Sequence, residues 1–531
     1  VDDAQPQQPL GRGPTVPPLG DRPGEPADPE RDHEQADVEH EPGQTPARIG
    51  QDDIGAHAGH RIVKIIRLAS ADMVERDVDV IVVGAGVAGL IAADRLVAAG
   101  KTVRVLEARD RVGGRTHSVE VPGYPGTIID EGGQWVGPGQ DLLYRELARF
   151  GLRTYPQPTH GAALVLFRGK ARRYTGRVPN LDPVTLLDVG QTQRRFDRLC
   201  RTVNLAEPWR TPDAETLDGQ TFESWLRRTC WTERGRDFFR TACEAVFATT
   251  PANISLLHAL FYAASGGGLE TLITTRGGAQ QDRVVGGMGQ LAQRLAAHLG
   301  PDVVRLREPV RAIEQDAAGV RVHTDQGTHR AARAIIAVPP TLAGRIAYTP
   351  ALPARRDQLT QRLPHGGVIK CHAVYAEPFW RADGLSAEAA SESGEVKVLF
   401  DATPPEGTPG ILLAFVEGPH SLRLGELPAE QRREVVLRSV ARYVGPRALH
   451  PLVYLEKDWN AEEYTRGCYG AHLPPGAWTQ VGAALREPVG RLHFAGTETA
   501  VRWCGYIDGA ISSGERAARE VLAADGTGPE A

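Results

Sequence analysis

Residues 78–115, VDVIVVGAGVAGLIAADRLVAAGKTVRVLEARDRVGGR, decide the fold. Residues 80–83 form an apolar run of the kind buried in a parallel strand, and Gly84, Gly86 and Gly89 follow at once in the G-x-G-x-x-G spacing. Gly84 permits a tight turn, Gly86 lets a pyrophosphate approach the backbone, and Gly89 lets the next helix pack closely on the strand. That helix is predicted over residues 87–99, with Leu90, Ala93 and Val97 as its apolar stripe and Gly100 as its stop. Its N-terminus faces the anion site. Residues 102–106 read as a second strand closed by Glu107, an acid placed to accept ribose hydroxyls and to repel a 2′-phosphate. The unit is therefore a βαβ dinucleotide site, which suits NAD and FAD alike. Arg109, Arg111, Gly113, Gly114 and Arg115 follow and bring further N–H donors and guanidinium forks for a diphosphate.

At 531 residues the chain is long enough for two or three packed cores, and two domains are expected. The net charge of −5 is uneven: residues 1–72 hold 14 acids against 7 bases, which leaves the remainder near +2. Neither part suggests a nucleic-acid surface. Residues 1–72 are rich in Pro, Gly, Asp, Glu and Gln, a composition that buries too little apolar surface to fold, so disorder is expected. Met73, directly before the first strand, is an alternative point at which translation begins. Six cysteines without C-x-x-C pairing point away from a metal site or a disulfide framework and toward a reducing compartment, the cytoplasm. No apolar run reaches the roughly 18 to 20 residues of a membrane span, so a soluble chain without a membrane partner is expected. Oligomeric state stays open, a homodimer included.

The run LEARDRVGGRT, with the glycine motif before it, resembles the opening of the flavin amine oxidases, the superfamily of monoamine and polyamine oxidases. The resemblance extends over about residues 79–522 and implies FAD. It also implies an α/β fold: a Rossmann-like FAD-binding domain assembled from residues 74–150, 282–360 and 462–524, with an inserted mixed-sheet and helical substrate domain from 151–281 and 361–461. The residue pattern accords with this. Residues 303–338 read as a β-meander with turns at 317–319 and 326–327, its last strand rejoining the nucleotide sheet, and residues 221–243 read as two helices with Phe222, Trp225, Phe238 and Phe239 in a core.

The resemblance assigns residues one by one. TIIDEGGQW carries Gly132, Gly133, Gln134 and Trp135 beside the flavin's ribityl and diphosphate region, and Val310 in REPVRAIE contacts the ring. RLHFAGTETAVRWCGYIDGA puts Glu498 near the ribityl chain, Gly505 and Tyr506 against the ring, and Ile507 where relatives often hold methionine. A helix starting near Gly509 would set its positive end toward a reduced ring. In WNAEEYTRGCYG, Trp459 and Cys468 stand in the register of the segment whose cysteine attaches covalently to the flavin; noncovalent FAD is the alternative. Tyr469 and Tyr506 match the two tyrosines flanking the approach to the flavin, an electron-rich slot that excludes water and favours a neutral amine. Lys370 in GGVIKCHAVYAEPFW resembles the lysine that holds a water against flavin N5.

The implied activity is oxidative deamination of a primary amine by oxygen, giving aldehyde, ammonia and hydrogen peroxide, with the redox chemistry supplied by the cofactor. The alternatives are an amino-acid or porphyrinogen oxidase on the same fold, or a catalytically silent FAD-binding interaction protein. A diamine would need a distal carboxylate, for which Glu388, Glu392 and Glu395 are candidates by region. A one-residue insertion in RGGAQQDRVVGG leaves the roles of Gln280 and Gln281 open.

Overall fold

The computed structural model describes residues 77–167, 169–176 and 181–526, so the acidic segment 1–72 and Met73 lie outside the described residues. Strand β1 (Val78–Val83), helix α1 (Val87–Ala98) and strand β2 (Val103–Leu106) form the expected βαβ unit. Residues 80–83 are almost wholly buried, as an apolar parallel strand covered on both faces must be. β1 pairs in parallel with β2 on one side. On its other side it meets the end of a meander made by β3 (Val310–Gln315), β4 (Val320–Thr324) and β5 (Gly327–Ile336), with Ile81, Val82 and Val83 opposite Ala334, Ile335 and Ile336. Leu492–Phe494 joins the end of β5 in parallel, so one eight-stranded sheet gathers three separated lengths of chain.

The apolar stripe of α1 departs from the expectation. Leu90 and Ala93 are fully buried, but Val97 is 41% exposed and Leu96 takes its place inside. The buried arc is wide because two helices flank α1, Gly289–Leu299 and α2 (Ile507–Ala524). Each covers a different side, so burial follows two contact faces rather than one 3.6-residue stripe.

A seven-stranded sheet forms the second layer system, and three of its strands matter for the site: β6 (Val368–Tyr375), β7 (Val396–Asp401) and β8 (Gly410–Glu417). β6 and β8 are buried along their whole length. One face of this sheet packs on Val436, Leu437 and Val440 of the helix Ala429–Val444, and the other shares a core with Trp459 and Cys468. Phe222–Thr229 and Glu233–Phe247 are the two predicted helices, and Phe222, Trp225 and Phe239 lie in their core with Phe238 packed at its edge. The six cysteines are buried and unpaired. Among the described residues no cluster of side chains suits a metal ion, and no helix is long and apolar enough to cross a membrane.

Gly89 is fixed by contact: a Cβ there would stand 2.0 Å from the carbonyl oxygen of Gly84. Gly89→Ala must push α1 off the glycine turn, an overpacking expected to cost about 1–3 kcal/mol. Urea unfolding of the purified variant should show a lower midpoint than that of the wild type.

Candidate functional site

A cavity of about 420 Å³ is lined at one end by Gly84, Gly86, Glu107, Arg109 and Gly114 and at the other by Lys370, Cys468, Tyr469 and Tyr506. At the first end Gly84 turns the chain with φ +101°, a conformation that favours glycine. A Cβ on Gly86 would meet nothing within 4 Å, so the space above that residue is open. Glu107 is buried, and its carboxylate accepts the N–H of Ala85 at 2.8 Å and that of Arg109 at 3.0 Å. The acid thus pins the glycine turn while each oxygen keeps a lone pair for a ribose hydroxyl. The Arg109 guanidinium donates to Glu462 at 3.2 Å and to Thr465 at 2.5 Å. An open glycine turn, a helix N-terminus and an engaged acid are the donor set and space an adenine dinucleotide requires.

Further along, Gly132, Gly133, Gln134 and Trp135 line the cavity after the short strand Ile128–Asp130, and Val310 lines it from the start of β3. Glu498 and Gly89 are not among the lining residues. Glu498 stands behind the wall and accepts from Arg115 through both oxygens, at 2.5 and 3.1 Å, while Arg115 also donates to the carbonyl of Tyr469 at 3.0 Å. Burial alone would raise the Glu498 carboxyl, but the charge and hydrogen bonds of Arg115 outweigh it and hold the group down at about 2.

At the second end β6 presents Lys370, which is only 3% exposed. A lysine on a strand ordinarily reaches solvent, yet here its Nζ donates to the carbonyl of Gly132 at 2.7 Å and to Oε1 of Gln134 at 2.5 Å. Burial pulls its pKa down to about 7, with the nearby Asp130 opposing the shift. The neutral amine's lone pair, or the third N–H of the ammonium, remains for the cavity. Cys468 lines the cavity within the core that holds Trp459, and burial pushes its thiol up to about 12. The Trp459 indole N–H donates to the carbonyl of Glu131 at 2.8 Å. Gly505, Tyr506 and Ile507 line the same end, with α2 beginning at Ile507 rather than at Gly509.

The two tyrosines differ in their support. Tyr506 packs its ring 5.1 Å from Trp503 and 5.9 Å from Tyr262, whereas the Tyr469 hydroxyl donates to Glu417 at 2.6 Å and its ring lies 6.3 Å from that of Phe415. Tyr262, Phe415 and Glu417 were not foreseen. Tyr262 and Phe415 read as ordinary core aromatics, and for Glu417 the one sequence signal is an acid closing the apolar run GILLAFVE. Gln280 lines the cavity and donates to the carbonyl of Leu272 at 2.8 Å, while Gln281 accepts the N–H of Gly277. Glu388, Glu392 and Glu395 are absent from the lining, and Glu388 accepts from Thr275 at 2.9 Å.

Glu498 titrates below its ordinary 4.5, so its stabilising contribution is complete above that value and is lost as pH falls from about 5 toward 2. Glu498→Gln leaves the half-buried Arg115 guanidinium without its counter-charge, with an expected loss of about 1–3 kcal/mol at pH 7. Urea midpoints should show that gap, and it should narrow as the pH is lowered toward 3.

The geometry agrees with comparison to known proteins. Residues 87–522 match the family described as flavin containing amine oxidoreductase. The flavin-containing amine oxidase B of Sus scrofa is 38% identical over 457 residues, spanning 85% of this chain and 87% of that protein. Among solved structures, wild-type putrescine oxidase bound to putrescine superposes with a TM-score of 0.80 at 38% identity, over 84% of this chain and 99% of that one. Cyclohexylamine oxidase from Brevibacterium oxydans gives a TM-score of 0.80 at 34% identity, over 85% and 100% of the two chains. A βαβ unit with an open glycine turn, a cavity lined by Lys370 and two tyrosines, and similarity along most of its length all agree: the chain belongs to the flavin-containing amine oxidoreductase family.

Proposed function

We propose that this protein is a cytoplasmic enzyme that oxidises primary amines with FAD and oxygen, releasing aldehyde, ammonia and hydrogen peroxide. The observation that carries the reading is that Tyr469, Tyr506 and the buried Lys370 wall one end of a cavity whose other end is the glycine turn. Bound FAD supplies the two-electron oxidation of the amine's α C–H to an imine, which water hydrolyses, with oxygen as the terminal acceptor.

The protein's own residues bind, orient and desolvate. Residues 74–150, 282–360 and 462–524 form the flavin-binding part in this reading, and 151–281 and 361–461 the substrate part. Gly84, Gly86, Arg109, Gly114 and the α1 N-terminus hold the diphosphate, Glu107 the ribose, and Gly132 to Trp135, Val310, Gly505 and Ile507 the ribityl chain and ring. Tyr469 and Tyr506 would flank a bound amine, and the water-poor slot they line would disfavour its ammonium form. Lys370 holds a water at Nζ, and with a pKa of about 7 it both gives and takes a proton there near neutrality.

An amino-acid oxidase would need an unspent arginine for the substrate carboxylate. Arg115, the arginine bonded to the Tyr469 backbone, already answers Glu498. With Glu388, Glu392 and Glu395 outside the lining, the reading favours an amine with an apolar substituent over a diamine. A panel of benzylamine, cyclohexylamine and putrescine under peroxide detection should give turnover with at least one of the first two. Lys370→Met should lower the rate by on the order of 10²-fold with flavin still bound, and normal turnover by that variant would remove the role given to Lys370.

FAD attachment through Cys468 is supported by a buried thiol in the cavity wall close to Trp459. Acid precipitation of the holoenzyme should leave the yellow colour in the pellet, and Cys468→Ala should release it to the supernatant.

A further inference from the structure

β6 and β8 run antiparallel with Val368 opposite Glu417 and Lys370 opposite Phe415. Val368, Lys370 and Phe415 all line the cavity. Side chains two apart on a strand share a face, so Glu417 continues the same wall one step beyond Phe415. It is 1% exposed. Oε1 accepts the Tyr469 hydroxyl at 2.6 Å, and Oε2 is buried with no hydrogen-bond partner among the described residues. The nearest charges come from two other elements: Glu244 on the helix Glu233–Phe247 and Lys397 on β7, which pair with each other, with His420 close to that pair. A carboxylate oxygen kept from water without a donor is unfavourable, and a proton delivered to this group relieves it.

We propose that Glu417 is the acceptor for the substrate's surplus proton, reached through the Tyr469 phenol, so that the neutral amine is made inside the slot rather than drawn from the small neutral fraction in bulk water. The proposal rests on the amine oxidase reading and adds the step that precedes oxidation. The ammonium gives one proton to Oη of Tyr469 as the Tyr469 O–H gives its own to the Glu417 carboxylate. Tyr469 ends as the phenol it began as, Glu417 ends as a carboxylic acid, and the amine keeps its lone pair. Two protons shift together, the net result is the passage of one proton from the ammonium to the carboxylate, and no electrons are exchanged. Glu417 acts through Tyr469 and is a positioning residue for that proton.

The acceptor's affinity suits the task. Burial raises the Glu417 carboxyl to about 8, against the opposing effect of the Tyr469 hydrogen bond, with Glu244 adding to the rise and Lys397 subtracting from it. A proton acceptor with a midpoint near the working pH balances availability against driving force. An unperturbed carboxylate would hold too little of the proton, since an alkylammonium has a pKa of about 10.4.

The test is the pH dependence of anaerobic flavin bleaching by the best panel amine, measured as a second-order rate constant from pH 7 to 10.5 for the holoenzyme and for Glu417→Gln. Wild type should rise through an acid limb near 8 and then level off, because amine that is already neutral reacts without needing the acceptor. Without the acceptor only amine that is already neutral reacts. The variant should therefore fall at least tenfold below wild type at pH 8, climb with pH, and come within a few-fold by pH 10.5. If Glu417→Gln does not retain flavin, Tyr469→Phe removes the middle oxygen of the relay and should show the same climbing profile. Parallel profiles for variant and wild type would mean that Glu417 only holds Tyr469 in place, and unchanged rates would mean that it does neither; each overturns the proposal. Failure of every amine to bleach the wild type would instead overturn the amine oxidase reading itself, and this proposal with it.

Discussion

The ion pair between the half-buried Arg115 and the buried Glu498 is the constraint on which the site depends. Arg115 ends the glycine-rich opening of the nucleotide unit, Glu498 belongs to the turn before α2, and the two lie 383 residues apart in sequence. Arg115 also holds the Tyr469 carbonyl, so one guanidinium joins the dinucleotide end, the last helix and the aromatic slot. The Glu498 charge would not tolerate its burial without that partner, and the guanidinium finds there the carboxylate that answers it. Because each needs the other, the first and last segments meet in one arrangement, and the sheet pairing of β5 with both β1 and Leu492–Phe494 fixes the same closure in the backbone.

Desolvation is the second organising effect, and its sign depends on the group. It draws Lys370 down to about 7 and lifts Glu417 to about 8, so a base and an acid that are ordinarily far apart both come near neutrality on one face of β6 and β8. The same burial holds Cys468 up at about 12, keeping its thiol protonated. Glu498 escapes only because Arg115 touches both of its oxygens. Around one cavity, whether a buried carboxyl is paired to a cation or to a phenol decides whether its proton affinity falls or rises.

Much of this was legible in the amino-acid order, for reasons that differ between regions. The βαβ unit is local: apolar run, glycine turn, helix and acid all fall within a short stretch, and Gly89 is demanded by a contact five residues away. The meander and its return to β1 were readable because the turn residues and apolar alternation mark each strand. What failed to show is what depends on long-range packing. Val97 fits a helical stripe but faces outward because two helices cover α1 from elsewhere. Lys370 looks like a solvated strand residue until Gln134 and Gly132 arrive to satisfy it. Glu417 reads as the polar end of a strand, and only the fold reveals that a phenol, not water, meets it.

Selectivity at such a site has to come from shape and protonation rather than from a counter-charge. The arginine bonded to the Tyr469 backbone is already spent on Glu498, and the glutamates expected to offer a distal carboxylate lie off the lining. What remains at the aromatic end is largely apolar surface from Val246, Leu272 and Phe415 with Tyr262 and the two tyrosine rings. An extra methylene in such a pocket changes discrimination by only about 1–3 kcal/mol, whereas an uncompensated charge carried into it is penalised far more. In the proposed reading Glu417 serves the reacting nitrogen through Tyr469, and a second ammonium on the substrate would have to compete for that one carboxylate. On the proposed reading, charge at the tail of the substrate is therefore penalised more sharply than a change in tail length.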